Sequence, residues 1–302
     1  MTLTRRNLQG SMVALVTPFR NGKVDPKALK QLLDFHLAEG TDVIVPCGTT
    51  GESATLTPAE HKWVMSFVID YVAGRRPVLC GAGSNATHEA ADLIRHAKKA
   101  GADGVLVVTP YYNKPAQEGL FRHYEFLAKK VDISIVLYNV PGRTGVSIQP
   151  ETVARLAKIP NIIGIKEASG SLDQAMRIIS LCDITVISGE DSLNLPLLSV
   201  GAKGSISVVA NVVPGKMHEL IKSYLSGDVE QAGALHYELL PLAKILFVET
   251  NPIPVKTALH LMGMIREEFR LPLCEMSADN RKKLTRVLQD SGLLKSRTKS
   301  SK

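Results

Sequence analysis

The feature that most constrains the fold is a regular alternation between short apolar runs and segments with helical periodicity. The apolar runs, each bounded by turn residues, predict strands buried on both faces at residues 12–19, 42–47, 77–81, 104–110, 134–140, 162–166, 184–188 and 204–210. Helical patterns follow them at 26–39, 57–73, 87–100, 117–130, 150–157, 171–181, 192–200 and 214–226. Eight such units predict a (β/α)8 TIM barrel, with a doubly wound open sheet as the alternative.

After residue 226 the strand pattern stops and only helical patterns continue, at 229–247, 254–263 and 277–291. We therefore expect a catalytic barrel over residues 1–228 and a C-terminal helical extension over 229–292. Residues 293–302 are rich in Ser, Thr and Lys, and we expect them to form a disordered basic tail.

Composition and charge exclude several classes of function. No apolar run approaches the roughly 18 residues that a membrane helix needs. The net charge is +7, but four positive charges lie in the tail, and taking them away leaves +3. Aromatic residues make up only 5% and do not alternate with basic ones, so we expect no nucleic-acid partner. No secretory signal is visible and the four cysteines form no C-x-x-C pair, which predicts reduced thiols and a cytoplasmic location.

The active site of such a barrel lies at the carboxyl ends of its strands, and the run at 162–166 ends in Lys166. A lysine buried there loses hydration, which disfavours the charged ammonium and favours the neutral amine. A neutral amine in a dry pocket forms imines with carbonyl substrates. The alternative is that Lys166 reaches water just past the strand or pairs with Glu167; the barrel placement favours the nucleophile.

Two further strand ends carry polar groups that suit a small acid. Gly48-Thr49-Thr50-Gly51-Glu52 places hydroxyl residues between glycines, a pattern typical of an anion-binding nest of backbone N–H groups, although an ordinary turn has the same composition. Tyr138 ends another strand, where a phenol can transfer protons; it could also be a core aromatic. Arg143, on a Pro-Gly turn, could hold a carboxylate or remain a solvated loop charge.

The remaining patterns are weaker. Tyr111 and Tyr112 indicate an interface or a pocket wall, and Lys114 beside them is a second candidate imine former with a more hydrated environment. Gly81-Ala82-Gly83-Ser84-Asn85-Ala86 matches a dinucleotide fingerprint, but the next strand does not end in the required acid. The histidines show no zinc spacing and no acidic trio indicates magnesium, so we predict no metal and no cofactor.

These motifs together resemble the dihydrodipicolinate synthase branch of the N-acetylneuraminate lyase superfamily. The resemblance extends from Gly10 to about Leu288. It rests on the Gly-Thr-Thr-Gly-Glu turn, Tyr111-Tyr112-Asn113, the segment from Tyr138 to Thr144, and Gly164-Ile165-Lys166-Glu167. The double threonine and the Pro-Gly-Arg-Thr sequence are similar to the synthase branch in particular.

The resemblance implies a class I aldolase mechanism, in which Lys166 forms an imine with pyruvate and the amides of Thr49 and Thr50 hold its carboxylate. Tyr138 is then expected to relay protons through the Thr49 hydroxyl to Tyr112. The enamine attacks L-aspartate 4-semialdehyde, whose carboxylate Arg143 engages, and cyclisation gives 4-hydroxy-tetrahydrodipicolinate, the committed intermediate of the diaminopimelate route to lysine. The carbonyls of two further residues are expected to line the pocket, namely Gly189 and Ile206.

The resemblance also implies an oligomer and a possible inhibitor site. The residue matching Tyr112 comes from a neighbouring subunit, which requires at least a dimer; a homotetramer is usual. Many members are inhibited by lysine, and the matching positions here are Ser53, Ala54, His61, Asn85, Glu89 and Tyr111. Pro58 replaces a histidine of enterobacterial members, so lysine inhibition is an open question at this point.

Two alternatives to the synthase are compatible with parts of this pattern. The first is a related pyruvate lyase acting on N-acetylneuraminate or a 2-keto-3-deoxy sugar acid, whose neutral aldehyde does not need Arg143. The second is a barrel that binds a keto acid without chemistry, for which Lys166→Ala would leave binding intact.

Overall fold

Eight parallel strands form a closed barrel in the computed structural model, which describes residues 2–294. In chain order the strands are β1 (Gly10–Ala14), β2 (Phe19–Arg20), β3 (Lys23–Val24), β4 (Val43–Val45), β5 (Leu79–Gly81), β6 (Gly104–Val108), β7 (Ile135–Asn139), β8 (Ile162–Glu167), β9 (Thr185–Ser188) and β10 (Gly204–Ser207). The barrel order is β4-β1-β10-β9-β8-β7-β6-β5, and β2 pairs with β3 in a separate hairpin. A parallel bridge between Ile44 and Val78 joins β4 to β5 and closes the ring. The predicted barrel is confirmed.

Twelve helices surround and extend the barrel within the described residues. They are α1 (Pro26–Ala38), α2 (Pro58–Val72), α3 (Thr87–Ala100), α4 (Gln117–Lys130), α5 (Pro141–Thr144), α6 (Pro150–Leu156), α7 (Leu172–Leu181), α8 (Asn194–Ser199), α9 (Pro214–Ser226), α10 (Val229–Ile245), α11 (Ile253–Leu261) and α12 (Ala278–Asp290). The start of α2 shows how the sequence sets these bounds. Thr57 accepts a hydrogen bond from the Glu60 amide while Glu60 accepts one from the Thr57 amide, and Pro58 occupies the first turn.

The strands are apolar on both faces because each face packs on a different layer. In β6, Leu106 belongs to the cluster that fills the barrel, whereas Val105 and Val107 pack in the cluster shared with the helices. Side chains alternate between faces along a strand, so a short apolar run supplies both clusters.

Two predicted strands extended too far toward the barrel mouth. The first strand ends at Ala14, not at residue 19, because Pro18 has no amide hydrogen and the Val16 amide donates to the side chain of Asn211. The last strand ends at Ser207, and residues Val209–Asn211 form a 3-10 turn. The Asn211 carboxamide also donates to the Ala14 carbonyl at 2.8 Å, so it joins the first and last strands.

The N-terminal segment closes the opposite end of the barrel, which the sequence patterns did not predict. Leu3 and Leu8 are buried in the interior cluster. Arg5 donates to the carbonyls of Ala157 and Ile162, and Ser134 donates to the Leu3 carbonyl at 2.6 Å. With this end sealed by apolar side chains, the barrel interior is accessible from the strand carboxyl ends.

The C-terminal extension packs against the barrel and shares its outer hydrophobic cluster. Leu242 of α10, Val255 of α11 and Leu284 of α12 are buried in that cluster. All residues of α11 from Ile253 to Leu259 are buried, and α11 contacts the turn at Val209–Asn211 at the barrel mouth. Of the predicted basic tail, Leu293 and Leu294 pack against the same cluster, and residues 295–302 lie outside the described residues.

Candidate active site

Lys166 lies within β8 and points into the mouth of the barrel. Only 6% of the residue is exposed, and its Nζ atom is 4.4 Å from the ring centroid of Tyr138. The two residues are partners in the parallel register of β7 and β8, so the backbone fixes their side-by-side placement. Among the described residues Lys166 forms no ion pair with Glu167, and its burial contradicts the alternative of a solvated lysine just past the strand. The geometry suits a nucleophilic amine with a phenol beside it.

Glu167 points to the other face of β8, where it joins the following loops. Its carboxylate accepts hydrogen bonds from the Asn139 side chain at 2.9 Å and from the Ser169 amide at 2.7 Å. Burial raises the pKa of Glu167, and the hydrogen bonds from Ser169 and Asn139 oppose that rise. Glu167 therefore stabilises the loop after β8. Of these two neighbouring residues, only Lys166 faces the site.

Gly189 leaves the room that the Lys166 side chain occupies. A Cβ atom at this position would lie 2.9 Å from Cε and 3.0 Å from Cγ of Lys166, and 2.7 Å from Cβ of Ala168. The glycine therefore lets the turn after β9 approach the aliphatic stem of the lysine. Ile206, the other residue predicted to line the pocket, is buried in the interior cluster on β10.

The turn from Gly48 to Glu52 presents backbone amides that the fold leaves free. Gly51 and Glu52 donate to the carbonyls of Gly48 and Thr49 at 3.1 Å each, whereas the amides of Thr49 and Thr50 donate no hydrogen bond within residues 2–294. Thr17 fixes the far side of the turn by donating to the Gly51 carbonyl at 2.7 Å. Two adjacent free N–H groups are the structural basis of an anion-binding nest.

Asn251, in the C-terminal extension, joins two of the predicted site residues. Its carboxamide donates to the Thr50 hydroxyl at 3.0 Å, and its backbone carbonyl accepts a hydrogen bond from Arg143 at 3.1 Å. Arg143 is exposed on α5, which is a short helix where the sequence indicated a turn. Sequence reasoning missed Asn251, because nothing local to the Asn-Pro dipeptide indicates a contact some 200 residues away.

A second residue missed by sequence reasoning is Lys256, which forms a buried ion pair with Glu52. Both side chains are fully buried. The ammonium group also lies 4.3 Å from the ring centroid of Phe19 and 5.1 Å from that of Phe269. Burial lowers the pKa of Lys256, and the Glu52 carboxylate opposes this by favouring the charged amine. The only sequence signal was a lysine at a position that the helical pattern of α11 buries.

A cavity of about 830 Å³ opens beside this constellation. Its lining includes Thr49, Val140 and Arg143. It also includes most of the positions that the family resemblance assigns to an inhibitor site, namely Ser53, Ala54, His61, Glu89 and Tyr111. Asn85 does not line the cavity, and its carbonyl accepts a hydrogen bond from Asn113 at 3.0 Å.

Two side chains of this predicted inhibitor site have internal partners. His61 donates from Nε2 to the Gly81 carbonyl at 2.8 Å, and burial lowers its pKa, which that hydrogen bond partly opposes. Glu89 accepts a hydrogen bond from the Ser84 hydroxyl at 2.7 Å.

Tyr112 does not point into the site of its own chain. It is 89% exposed and has a φ of 73°, a left-handed conformation that is unusual for a tyrosine. Tyr111 is 37% exposed beside it. The structure also separates Lys114 from the barrel interior: Lys114 is exposed, and its side chain packs along Gly145.

Within residues 2–294, no group of three His, Cys, Asp or Glu side chains is arranged to hold a metal ion. The four cysteines are free thiols, with Cys47 and Cys80 buried. No described helix is both long and apolar enough to cross a lipid bilayer.

Fold and site define a (β/α)8-barrel protein with a buried lysine beside a tyrosine at the strand carboxyl ends and an anion-binding turn next to them. The chain belongs to the dihydrodipicolinate synthetase family, whose family model matches residues 7–291. It is 57% identical over 289 residues to the 4-hydroxy-tetrahydrodipicolinate synthase of Thermodesulfovibrio yellowstonii, a match that covers 95% of this chain and 99% of the relative.

Solved structures agree with this assignment. The crystal structure of dihydrodipicolinate synthase from Aquifex aeolicus superposes with a TM-score of 0.94 at 51% identity, covering 95% of this chain and 99% of that one. The enzyme of Cyanidioschyzon merolae with lysine bound superposes with a TM-score of 0.92 at 40% identity, covering 95% and 99%. The family predicted from the motifs is thus confirmed.

Proposed function

We propose that this protein condenses pyruvate with L-aspartate 4-semialdehyde through an imine on Lys166, giving 4-hydroxy-tetrahydrodipicolinate. The observation that carries the proposal is the buried Lys166 amine beside the Tyr138 ring, in a member of a family whose curated relatives bear this enzyme's name. The same names favour the synthase over the sugar-acid lyases.

The first half of the reaction activates pyruvate. The Lys166 amine attacks the ketone carbon, and loss of water gives the imine. The free amides of Thr49 and Thr50 bind the carboxylate, and the carbonyls of Gly189 and Ile206 line the pocket. Tyr138 accepts and returns protons as the imine loses a methyl proton and becomes the enamine. No cofactor is required, because the iminium itself accepts the electron pair.

The second half forms the carbon–carbon bond and releases the lysine. The enamine carbon attacks the aldehyde, whose oxygen takes a proton and becomes the hydroxyl group of the product. The amino group of the aldehyde substrate then closes the ring at the imine carbon and displaces Lys166. Arg143 binds the carboxylate of this second substrate, and its hydrogen bond to the Asn251 carbonyl orients the guanidinium toward the cavity.

The oligomer completes the proton relay. Tyr112 is exposed in its own chain, and we propose that it enters the site of a neighbouring subunit, where it meets the Thr49 hydroxyl. This arrangement requires a dimer, and a homotetramer of two such dimers is the proposed assembly. The substrates are small metabolites and the thiols are free, so we place the enzyme in the cytoplasm.

Borohydride trapping tests the mechanism. The protein is incubated with pyruvate and borohydride, and the adduct is located by peptide mass mapping. We expect a stable adduct on Lys166, its loss in Lys166→Arg, and its retention in Lys114→Arg, which matches the substitution at an exposed lysine. An adduct on Lys114, or no adduct in the wild type, contradicts the proposal. Either result would favour the alternative of a barrel that binds a keto acid without chemistry.

The aldehyde is tested separately from imine formation. Arg143→Met should raise the KM for aspartate semialdehyde by about tenfold or more while the KM for pyruvate stays unchanged. A neutral sugar aldehyde should not be a substrate of the wild type. An equal rise in the KM for both substrates would mean that Arg143 does not recognise the aldehyde carboxylate.

We further propose that this cavity binds lysine at the positions assigned to the inhibitor site. Ser53, Ala54, His61, Glu89 and Tyr111 line it, and the carboxylate of Glu89 suits an ammonium group. Asn85 lies outside the lining, and Pro58 lines it where a histidine was expected from enterobacterial members. Lysine should inhibit the wild type, and Glu89→Gln should weaken that inhibition without changing the pyruvate KM; no inhibition at millimolar lysine would reject the site.

A further inference from the structure

The carboxylate of Glu52 is held by the C-terminal extension. Lys256 donates to Oε1, and the Arg270 amide donates to Oε2 at 3.3 Å. No other hydrogen bond reaches this carboxylate from the described residues. Both partners lie after residue 229, although Glu52 ends the turn that follows β4 in the barrel.

The same carboxylate ends the turn that carries the free amides. Glu52 has a φ of 53°, in the left-handed region, and its amide donates to the Thr49 carbonyl at 3.1 Å. A non-glycine residue adopts this conformation when its surroundings enforce it. A shift of the Glu52 side chain therefore changes the backbone that directs the amides of Thr49 and Thr50.

The extension fixes this turn at two points through one short segment. Asn251 donates to the Thr50 hydroxyl, and Lys256, five residues further along, pairs with Glu52. The Lys256 amide donates to the Pro252 carbonyl at 3.0 Å, which sets the start of α11 and the spacing between the two contacts.

A second ion pair keeps the surrounding segment in place. Arg270 binds both oxygens of Glu60, at 2.7 and 2.5 Å, and also donates to the Thr55 carbonyl at 3.0 Å. Its guanidinium carbon lies 4.4 Å from the ring centroid of Phe19, the ring that Lys256 also contacts. Aromatic rings and Glu52 thus enclose Lys256, so its ammonium group is not solvated.

We infer that Lys256 is a positioning residue for the substrate carboxylate: by pairing with Glu52 it holds the turn in the conformation that directs the Thr49 and Thr50 amides into the site. The inference deepens the proposed function and rests on it, since it assumes that these amides bind pyruvate. In this role Lys256 acts through Glu52 and not by contact with the substrate. A buried ion pair does not have to stabilise a fold, because the desolvation of both charges offsets their attraction. A role in setting the conformation of the turn accounts for the ion pair between Lys256 and Glu52.

The test separates positioning from stability. Lys256→Met keeps the length of the side chain and removes the charge. The Glu52→Gln/Lys256→Met double variant removes both charges, so no unpaired carboxylate remains buried. For each protein we measure thermal unfolding and the pyruvate concentration that gives half-maximal borohydride capture on Lys166.

We expect Lys256→Met to raise the half-saturating pyruvate concentration by about tenfold or more, as small displacements of binding groups do. Capture at saturating pyruvate should be retained, since Lys166 and Tyr138 are unchanged. The double variant should recover much of the unfolding temperature that Lys256→Met loses. Its half-saturating pyruvate concentration should remain higher than that of the wild type. It also keeps the test decisive if Lys256→Met alone fails to fold.

The control is Arg281→Met, which breaks the ion pair of Arg281 with Glu267 in the same extension; within the described residues neither side chain hydrogen-bonds to the turn from Gly48 to Glu52. It should lower the unfolding temperature and leave pyruvate capture unchanged. Unchanged half-saturation in the folded Lys256 variants would overturn the inference. Absence of capture in the wild type would instead reject the proposed function, so the two failures are distinguishable.

Discussion

The Nζ atom of Lys166 lies 4.4 Å from the centroid of the Tyr138 ring, and the two residues are register partners on adjacent parallel strands. Their proximity follows from backbone hydrogen bonding and does not depend on a flexible loop. The barrel thus holds the amine and the phenol together before any substrate binds, which is the pre-organisation that imine chemistry requires.

Tyr138→Phe tests the phenol without disturbing this packing. The ring remains beside Lys166 and only the hydroxyl is lost, so we expect kcat to fall by about 10² to 10⁴, the usual contribution of general acid–base catalysis. Borohydride capture of pyruvate on Lys166 should remain detectable, and the unfolding temperature should change little. A kcat within threefold of the wild type would assign the proton relay to another group.

Gly189→Ala tests the space around the lysine. The added methyl group would lie 2.9 Å from Lys166 Cε, so the side chain must move, and we expect the capture rate to fall at least about tenfold. Gly233→Ala on α10 is the matched control, because beyond its own helix backbone and chain neighbours no atom lies within 4 Å of its added Cβ. It should be neutral or stabilise the helix by up to about 1 kcal/mol. Equal capture by both variants would show that Gly189 does not limit Lys166.

Mixed subunits test whether Tyr112 acts across an interface. Lys166→Ala and Tyr112→Phe should each be nearly inactive alone. If Tyr112 serves the neighbouring site, co-expression creates dimers with one intact site, and random pairing restores about a quarter of the wild-type activity. Activity no higher than that of the separate variants would place Tyr112 in its own chain's site or outside the mechanism.

His36 should make the fold sensitive to mild acid. Burial lowers its pKa to about 3, below its ordinary value of 6.5. Between these pH values the unfolded chain binds a proton that the folded chain does not, so stability falls as pH decreases from 6.5 toward 3. At pH 5 the loss from this one group is about 2 kcal/mol.

The measurement is the urea midpoint at pH 7 and at pH 5. His36→Gln should show a smaller decrease between these two conditions than the wild type, whereas His88→Gln, at an exposed histidine, should follow the wild type. Parallel behaviour of all three proteins would mean that His36 is not the source of the acid sensitivity.

The barrel, its family and the elements that carry the site could all be predicted from the sequence. Apolar runs such as 162–166 fill two layers at once, which requires a sheet covered on both faces, and that pattern is local enough to detect along the chain. Because these patterns are local, the sequence also predicted that Lys166, Tyr138 and the turn from Gly48 to Glu52 lie at strand ends. The roles of the individual side chains remain predictions.

The residues that support this site became apparent from the folded chain. Asn251 and Lys256 meet Thr50 and Glu52 across some 200 residues, and Leu3 seals the barrel far from the mouth. Strand ends also shifted by several residues, because Asn211 rather than a neighbouring strand takes the Val16 amide. Local periodicity encodes which face of an element is buried; it carries no information about which distant polar group will satisfy a buried charge or a free backbone amide, and the closed barrel settles that choice.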